Sequence, residues 1–457
     1  MKSSLDHPSP TPSATGGFFT TDDGRNLTVT FFLVASLFLL WGVCNGLIDV
    51  MDKHFQDMLH LSKSQSAWVQ TAHYLGYAIM ALPAGLLARS IGYKGGIIFG
   101  LSLVSVGGFW FIAATHIASF WSFLLGVCII AMGLTVLETV ANPYTTVLGA
   151  KQHGAFRINV AQCFNGVGWM FGPVIGGAFF YSAGGAEAAN KTLYIPYVAI
   201  AIIVLVMAVI FFFANVPDLN TSDEYHVDDK SLAVTQRSIW THPHFVGGVF
   251  AQFLYVAAQA GIFSFFINYM IAEVPPISHA LVDSWFLKGG AVLRNGAEFI
   301  NEQGAARLQG VLGFGLFFVG RLIGSAILRR ARPHRVLAAF SAINVVMCAI
   351  VMMKIGWVSV IAVLLTFFFM SISFPTIFAL GIYGLGTQAK KASAFIVMAI
   401  LGGAIMPKVM GHLGDLYNMS ISFLMPLCCF IYIAIYGFSW SKLSKSDGTA
   451  VAPRHGH

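Results

Sequence analysis

Charge is scarce in this sequence. Only 10% of its 457 residues are Asp, Glu, Lys or Arg, against 57% that are apolar, and the mean hydropathy is +0.75. A soluble core cannot hide that much apolar surface without leaving large exposed patches, so lipid must be part of the solvent. Cysteines are few, and Cys44, Cys128, Cys163, Cys348, Cys428 and Cys429 all sit in apolar stretches. They lack the loop spacing of a disulfide or zinc framework and read as small membrane-buried side chains. Residues 1–28 are rich in Ser, Pro, Thr and Asp and lack the pattern of a removable signal peptide, so the first span is expected to serve as the insertion signal. The net charge of +7 does not point to nucleic acid, because Lys and Arg fall in short loops between apolar segments, where membrane topology puts them. Neither a nucleophile–base pair nor a metal-ligand set stands out, so an enzyme is not expected, nor a cofactor or metal.

Long apolar runs are abundant. A spanning helix needs about 20 apolar residues, and such segments lie near 29–50, 66–88, 95–114, 119–148, 159–182, 194–214, 245–272, 307–328, 335–354, 357–384, 392–412 and 421–440. The expectation is an all-α membrane protein of twelve transmembrane helices. The stretch 215–244 is polar and carries Asp218, Asp223, Glu224, Asp228 and Asp229, which suits a solvated linker between six-helix halves over 29–214 and 245–440. Tails then occupy 1–28 and 441–457. The short loops after spans two, four, eight and ten hold ten Lys and Arg residues, against five in those after spans one, three, five, nine and eleven. Positive loops stay in the cytoplasm, so both termini are expected there. Residues 280–306 become an outer loop, longer than its neighbours. The halves echo each other: Pro143 to Gly149 in span four matches Pro375 to Gly381 in span ten, with Met370 at the offset of Glu138.

Two acids, Asp49 and Glu138, stand inside the apolar runs. An ionised carboxylate in a lipid-surrounded helix costs several kcal/mol unless it faces a cavity, finds a partner or takes up a proton. A carboxyl that alternates between its two protonation states is what a proton-coupled carrier needs. Glu138 shares a helix face with Thr135 and Asn142, at i, i+3 and i+7. Its plainer alternative is a structural acid bonded to another helix. Asp49 continues the four-residue stripe Trp41, Asn45, Asp49, with Gly46 allowing close helix approach or a break. Because Asp52, Lys53 and His54 follow at once, Asp49 reads alternatively as an interfacial acid.

Further polar stripes suit a sugar, whose hydroxyls bond to amides and whose C–H face packs on rings. Span five offers Asn159, Gln162, Asn165 and Trp169; span seven offers Gln252, Tyr255 and Gln259; span two offers Gln70, His73, Tyr74 and Tyr77. Such residues also simply join helices. His73 is a proton-relay candidate. Arg321, in Gly320-Arg321-Leu-Ile-Gly324, is a cation in a membrane segment, expected to be tied to backbone carbonyls near the inner face as a gate lock.

The segments Trp41-Gly-Val-Cys-Asn45-Gly-Leu-Ile-Asp49, Leu137-Glu138-Thr-Val-Ala-Asn142-Pro143 and Arg157-Ile-Asn-Val-Ala-Gln162-Cys-Phe-Asn165 resemble the fucose:proton symporter family of the major facilitator superfamily. Gln252-Phe-Leu-Tyr255-Val-Ala-Ala-Gln259, Phe374-Pro375-Thr-Ile-Phe378 and Phe395 to Gly403 extend the resemblance over roughly residues 30–440. It implies two pseudo-symmetric halves, import of a monosaccharide with a proton across a bacterial inner membrane, Asp49 and Glu138 as the functional carboxylates, and Gln162 and Asn165 as sugar-facing amides. The family includes carriers of L-fucose, glucose, galactose and amino sugars, so the sugar stays open. The usual superfamily acid after span two is replaced by Arg89, as is common in this family. One chain holds both halves, which suits a functional monomer; a sugar-sensing membrane receptor is the alternative from another class.

Overall fold

The computed structural model describes residues 17–21, 24–150, 153–181, 194–214, 216–217, 238–282, 287–328, 330–385 and 388–445. Most of the expected linker and both tails lie outside the described residues, as do the side chains of Arg89 and Asn159.

Among the described residues, twelve helices are long and apolar enough to cross a membrane: α1 (Thr28–Leu59), α2 (Lys63–Ala88), α3 (Ser90–Ile117), α4 (Phe120–Thr145), α5 (Val160–Phe180), α6 (Tyr194–Phe213), α7 (Pro243–Glu273), α8 (Glu302–Leu328), α9 (Pro333–Met352), α10 (Trp357–Ile382), α11 (Ala394–Leu416) and α12 (Met419–Ser444). Their outer faces remain apolar where no protein covers them. On α6, Ile202, Ile203, Val206, Ile210 and Phe213 are all exposed, a surface that only lipid can shield. The cysteines are free; Cys44, Cys348 and Cys429 are buried, Cys128 and Cys163 half-buried, and Cys428 is exposed.

Backbone chemistry sets the breaks. Between α2 and the body of α3 the chain kinks at Gly92, whose φ of 71° is a conformation that favours glycine. Within α10 the helix lapses between Met370 and Ser373. Pro375 has no N–H to give to the carbonyl four residues back, so the Ser371 oxygen is left free. Arg321 takes it: its Nε donates to Ser371 O at 3.4 Å.

The first half packs on a seam of small residues. Gly42 and Gly46 of α1 lie against Gly168 and Gly172 of α5, where a Cβ on Gly46 would come within 3.1 Å of the Gly172 Cα. Gly46 therefore gives close approach rather than a break, because α1 runs unbroken through it. The halves meet where α1 faces α7, α2 faces α11 and α5 faces α8.

Two expectations are corrected at one end of the bundle. The stretch after α7 is more than a loop: β1 (Ala291–Arg294) and β2 (Ala297–Ile300) pair antiparallel through a two-residue turn, Asn295-Gly296, both at positive φ. We call this the hairpin end. Here α1 also continues nine residues past the expected limit, to Leu59, and Asp52, Lys53, His54 and Gln56 are buried. Asp49 is therefore enclosed by protein within a continuous helix rather than standing at a solvated helix end.

The hairpin end is shut. Asp415, at the end of α11, accepts the Lys63 and Ser64 backbone N–H groups at 3.0 and 2.9 Å, capping α2 from the opposite half. Thr71 Oγ1 donates to Ala404 O at 2.6 Å, Asn268 Nδ2 donates to Gln56 Oε1 at 2.6 Å, and Lys408 sits over the Trp68 ring. Lys63 Nζ also donates to Gly414 O at 3.2 Å and Gln56 Nε2 to Asn268 Oδ1 at 3.4 Å, and among the described residues the side-chain hydrogen bonds that join the halves all lie at this end.

Candidate substrate and proton site

The polar stripe of α1 does not stop at Asp49; it continues through Asp52 to Gln56, at spacings of three and four that keep one helix face. It meets a matching stripe on α2, and the two close like a zipper. Trp41 Nε1 donates to Tyr77 Oη at 2.7 Å. Gln70 Nε2 donates to Asp49 Oδ1 at 3.1 Å and to Asp52 Oδ2 at 3.3 Å. Gln56 Nε2 donates to Ser66 Oγ at 2.8 Å. Between these rungs, His73 packs on Tyr77 and Tyr74, ring centroids 5.0 and 5.2 Å apart. Asn45 Oδ1, Asp49 Oδ2, Asp52 Oδ1 and His73 Nδ1 are buried without a hydrogen-bond partner.

Glu138 stands at the other end of the zipper. It is half-buried on α4 and borders a small cavity with Leu37, Phe38, Trp41, Leu137 and Ala141. Tyr77 lies within electrostatic reach. No basic side chain pairs with Glu138 among the described residues. The α1–α5 glycine seam draws the amides of α5 to the same region: Asn165 Nδ2 donates to Phe38 O at 3.2 Å, while Gln162 Nε2 donates to Asn142 Oδ1 at 3.3 Å.

The second half supplies fewer polar groups. Tyr255 on α7 gives its hydroxyl hydrogen to Met370 O at 3.0 Å, at the lapse in α10, and lies near Tyr74 of α2. Met370 is fully buried where the repeat places the counterpart of Glu138. Gln252 is fully buried with both amide atoms unpartnered, and Gln259 is half-buried. Arg321 is tied to a backbone carbonyl, as expected, with Phe317 under its guanidinium at 5.0 Å. It also lies within electrostatic reach of Tyr255 and of Cys163, the neighbour of Gln162. Trp169 packs between the halves, against Phe314 and Phe263 at 5.0 and 5.8 Å.

The structure thus gathers Trp41, Asn45, Glu138, Gln162 and Asn165 in the first half, and sets Tyr255 and Arg321 opposite. Asp49 stands further along, toward the hairpin end. Sequence reasoning passed over Asp52, Gln56, Ser264 and Asn268; for the first two, the continued three-four spacing after Asp49 was the available signal.

The Major Facilitator Superfamily profile matches residues 27–382. The L-fucose-proton symporter of Escherichia coli is 35% identical over 90% of this chain and 93% of its own length. The glucose/galactose transporter of Brucella abortus is 31% identical over 92% and 96%. A crystal structure of the fucose:proton symporter in the outward conformation, 35% identical, covers 91% of this chain and 99% of that one at a TM-score of 0.63. The profile spans most of the sequence and the relatives span nearly all of it, so this chain belongs to the Major Facilitator Superfamily, in the branch that holds L-fucose–proton symporters and glucose/galactose transporters.

Proposed function

We propose that this chain imports a monosaccharide together with a proton across a bacterial inner membrane, by rocking its two six-helix halves, 29–214 and 245–440, around a central site. L-fucose is the first candidate, with glucose, galactose and amino sugars as alternatives. The observation that carries the reading is Glu138: a carboxyl beside a cavity and a tryptophan, inside a membrane helix, without a cation to neutralise it among the described residues. A proton is the remaining means of neutralising it. Glu138 exchanges that proton and contacts the sugar, whose ring is held by Trp41, Asn45, Gln162 and Asn165 on one side and by Gln252, Tyr255 and Gln259 on the other. Asp49 takes up the proton nearer the hairpin end. No bond is made or broken, and one copy of the chain suffices.

The excess of Lys and Arg in the loops away from the hairpin favours a cytoplasmic location for that end and both termini. The hairpin end is then the outer face, and the closed contacts there support a carrier shut on its outer side. The modest superposition on a 35% identical relative in its outward conformation is in keeping with that difference. Arg321, held to the α10 lapse and near both Tyr255 and α5, links the halves during rocking.

The test is transport by the purified chain in proteoliposomes. L-fucose, galactose, glucose and N-acetylglucosamine are added in turn without sodium, and the external pH is followed. Alkalinisation with one of these sugars is expected. Strict sodium dependence without a pH change, or binding without transport, which would favour a receptor, refutes the proposal.

A further inference from the structure

We infer that Asp52 is a second proton-holding residue, forming with Asp49 a carboxyl pair that shares a proton across Gln70, and that the hairpin end closes only on the protonated pair. The inference builds on the symport reading but concerns a residue that reading does not use.

The geometry is specific. Both carboxyls accept from the same Gln70 nitrogen, at 3.1 and 3.3 Å, so the separation of the two accepting oxygens cannot exceed the sum of those distances. Asp49 is 4% exposed, Asp52 0% and Gln70 2%. The amide N–H2 gives one hydrogen to each carboxyl, and Asp49 Oδ2 and Asp52 Oδ1 are left without partners. From the opposite half, the fully buried hydroxyl of Ser264 on α7 is set beside Asp52. A hydroxyl there can donate to a carboxylate or accept from a carboxylic acid.

Among the described residues, the surroundings do not supply a cation. On α1, Lys53 pairs with the half-exposed Asp57, and His54 stacks on Phe180 with Nε2 unpartnered. From α2 come His73 and Tyr74; from α6 comes Tyr197, bonded to Met51; Tyr181, just past α5, donates to Val50 O; from α7 comes Asn268, bonded to Gln56. Two buried carboxylates with only neutral hydrogen-bonding neighbours and a histidine repel each other strongly, and one bound proton removes the repulsion while supplying the missing donor. Ser264 and Asn268 belong to the opposite half, so their side of the wall is in place while the hairpin end is shut. Closure therefore desolvates the pair, and desolvation is what loads the proton.

The test is sugar counterflow, which requires no net proton transfer, measured from about pH 6 to about pH 9 in a Glu138→Gln background so that pH dependence from Glu138 is absent. In that background, exchange should fall about tenfold or more as the pair ionises. Adding Asp52→Asn leaves at most one negative charge, and exchange should hold within about twofold across the range. Superimposable falling profiles overturn the inference, as does a flat profile before Asp52 is changed. If Asp52→Asn gives no exchange at any pH, Asp52→Glu decides: recovery with the sloping profile supports the shared proton, and no recovery overturns it. If Glu138→Gln itself abolishes exchange, as loss of its sugar contact would, the same comparison is made in the wild-type background. Failure of symport would show separately, as sugar uptake by the wild type without alkalinisation.

Discussion

Gly403 offers the most direct test of hairpin-end closure. It sits on α11 against the Tyr74 ring of α2, and a Cβ built on it would come within 2.6 Å of the ring's Cδ2 and Cζ. Tyr74 is itself held, half-buried, edge-on to His73. Gly403→Ala therefore forces either the ring or the helices apart, and overpacking of this kind costs about 1–3 kcal/mol. The contact exists only while α2 and α11 are together, so the cost falls on the closed state alone. Taking about 2 kcal/mol, the balance between open and closed shifts about 30-fold toward open. The readout is the initial rate of sugar counterflow, expected to fall ten- to hundred-fold where closure limits the cycle, beside equilibrium sugar binding, expected to change far less, by about twofold. Tyr74→Ala in the same chain removes the obstacle and should restore part of the rate, a non-additivity that marks a direct contact. Counterflow by Gly403→Ala within about twofold of wild type, or strictly additive losses in the double variant, would refute the reasoning.

Glu138→Gln is expected to abolish uphill uptake while leaving counterflow measurable; accumulation at the wild-type level would remove Glu138 from coupling. Asp49→Asn should impair uptake and alter its pH profile, and an unchanged profile would return Asp49 to a packing role. Asp415→Ala removes both bonds that cap α2 from the opposite half; with charge-assisted bonds at a partly exposed site contributing about 1–2 kcal/mol together, counterflow should slow about tenfold, with the Tm of the solubilised protein nearly unchanged. Gly46→Val, by contrast, strikes the α1–α5 seam, where Pro173, Gly172 and the Trp169 carbonyl leave no room for a side chain. It should lower the Tm and expression regardless of sugar, by about 3 kcal/mol or more in stability; a wild-type Tm would show that the seam can relax.

Much of this protein was legible as sequence because the bilayer enforces a simple rule. Backbone polar groups in hydrocarbon must find protein partners, and a continuous apolar run supplies them from within itself only as a helix, so the twelve runs correspond to twelve helices among the described residues. The stripe Trp41-Asn45-Asp49 was legible for the same reason, since helical spacing places those residues on one face before any partner is known. The Asn295-Gly296 turn was equally visible in principle, being the dipeptide that a tight hairpin requires. The limit of α1 was not legible. Asp52-Lys53-His54 looks like the start of a loop when its hydropathy is compared with lipid, and only α2, α5 and α7 packed around it show that its solvent is other protein.

Pairing across helices was likewise decided in three dimensions. That Gln70 lies between Asp49 and Asp52, that Arg321 caps the carbonyl freed by Pro375, and that Asp415 caps a helix of the other half depend on how separate segments are juxtaposed, at sequence distances of up to about 350 residues. By itself the sequence determined the number of spans, the face each polar stripe occupies and the family; the tertiary structure decided which stripes meet and which end is shut. Helical periodicity is a local property fixed by each segment alone, whereas partners and gates arise from packing between segments, and in a carrier that packing has more than one solution.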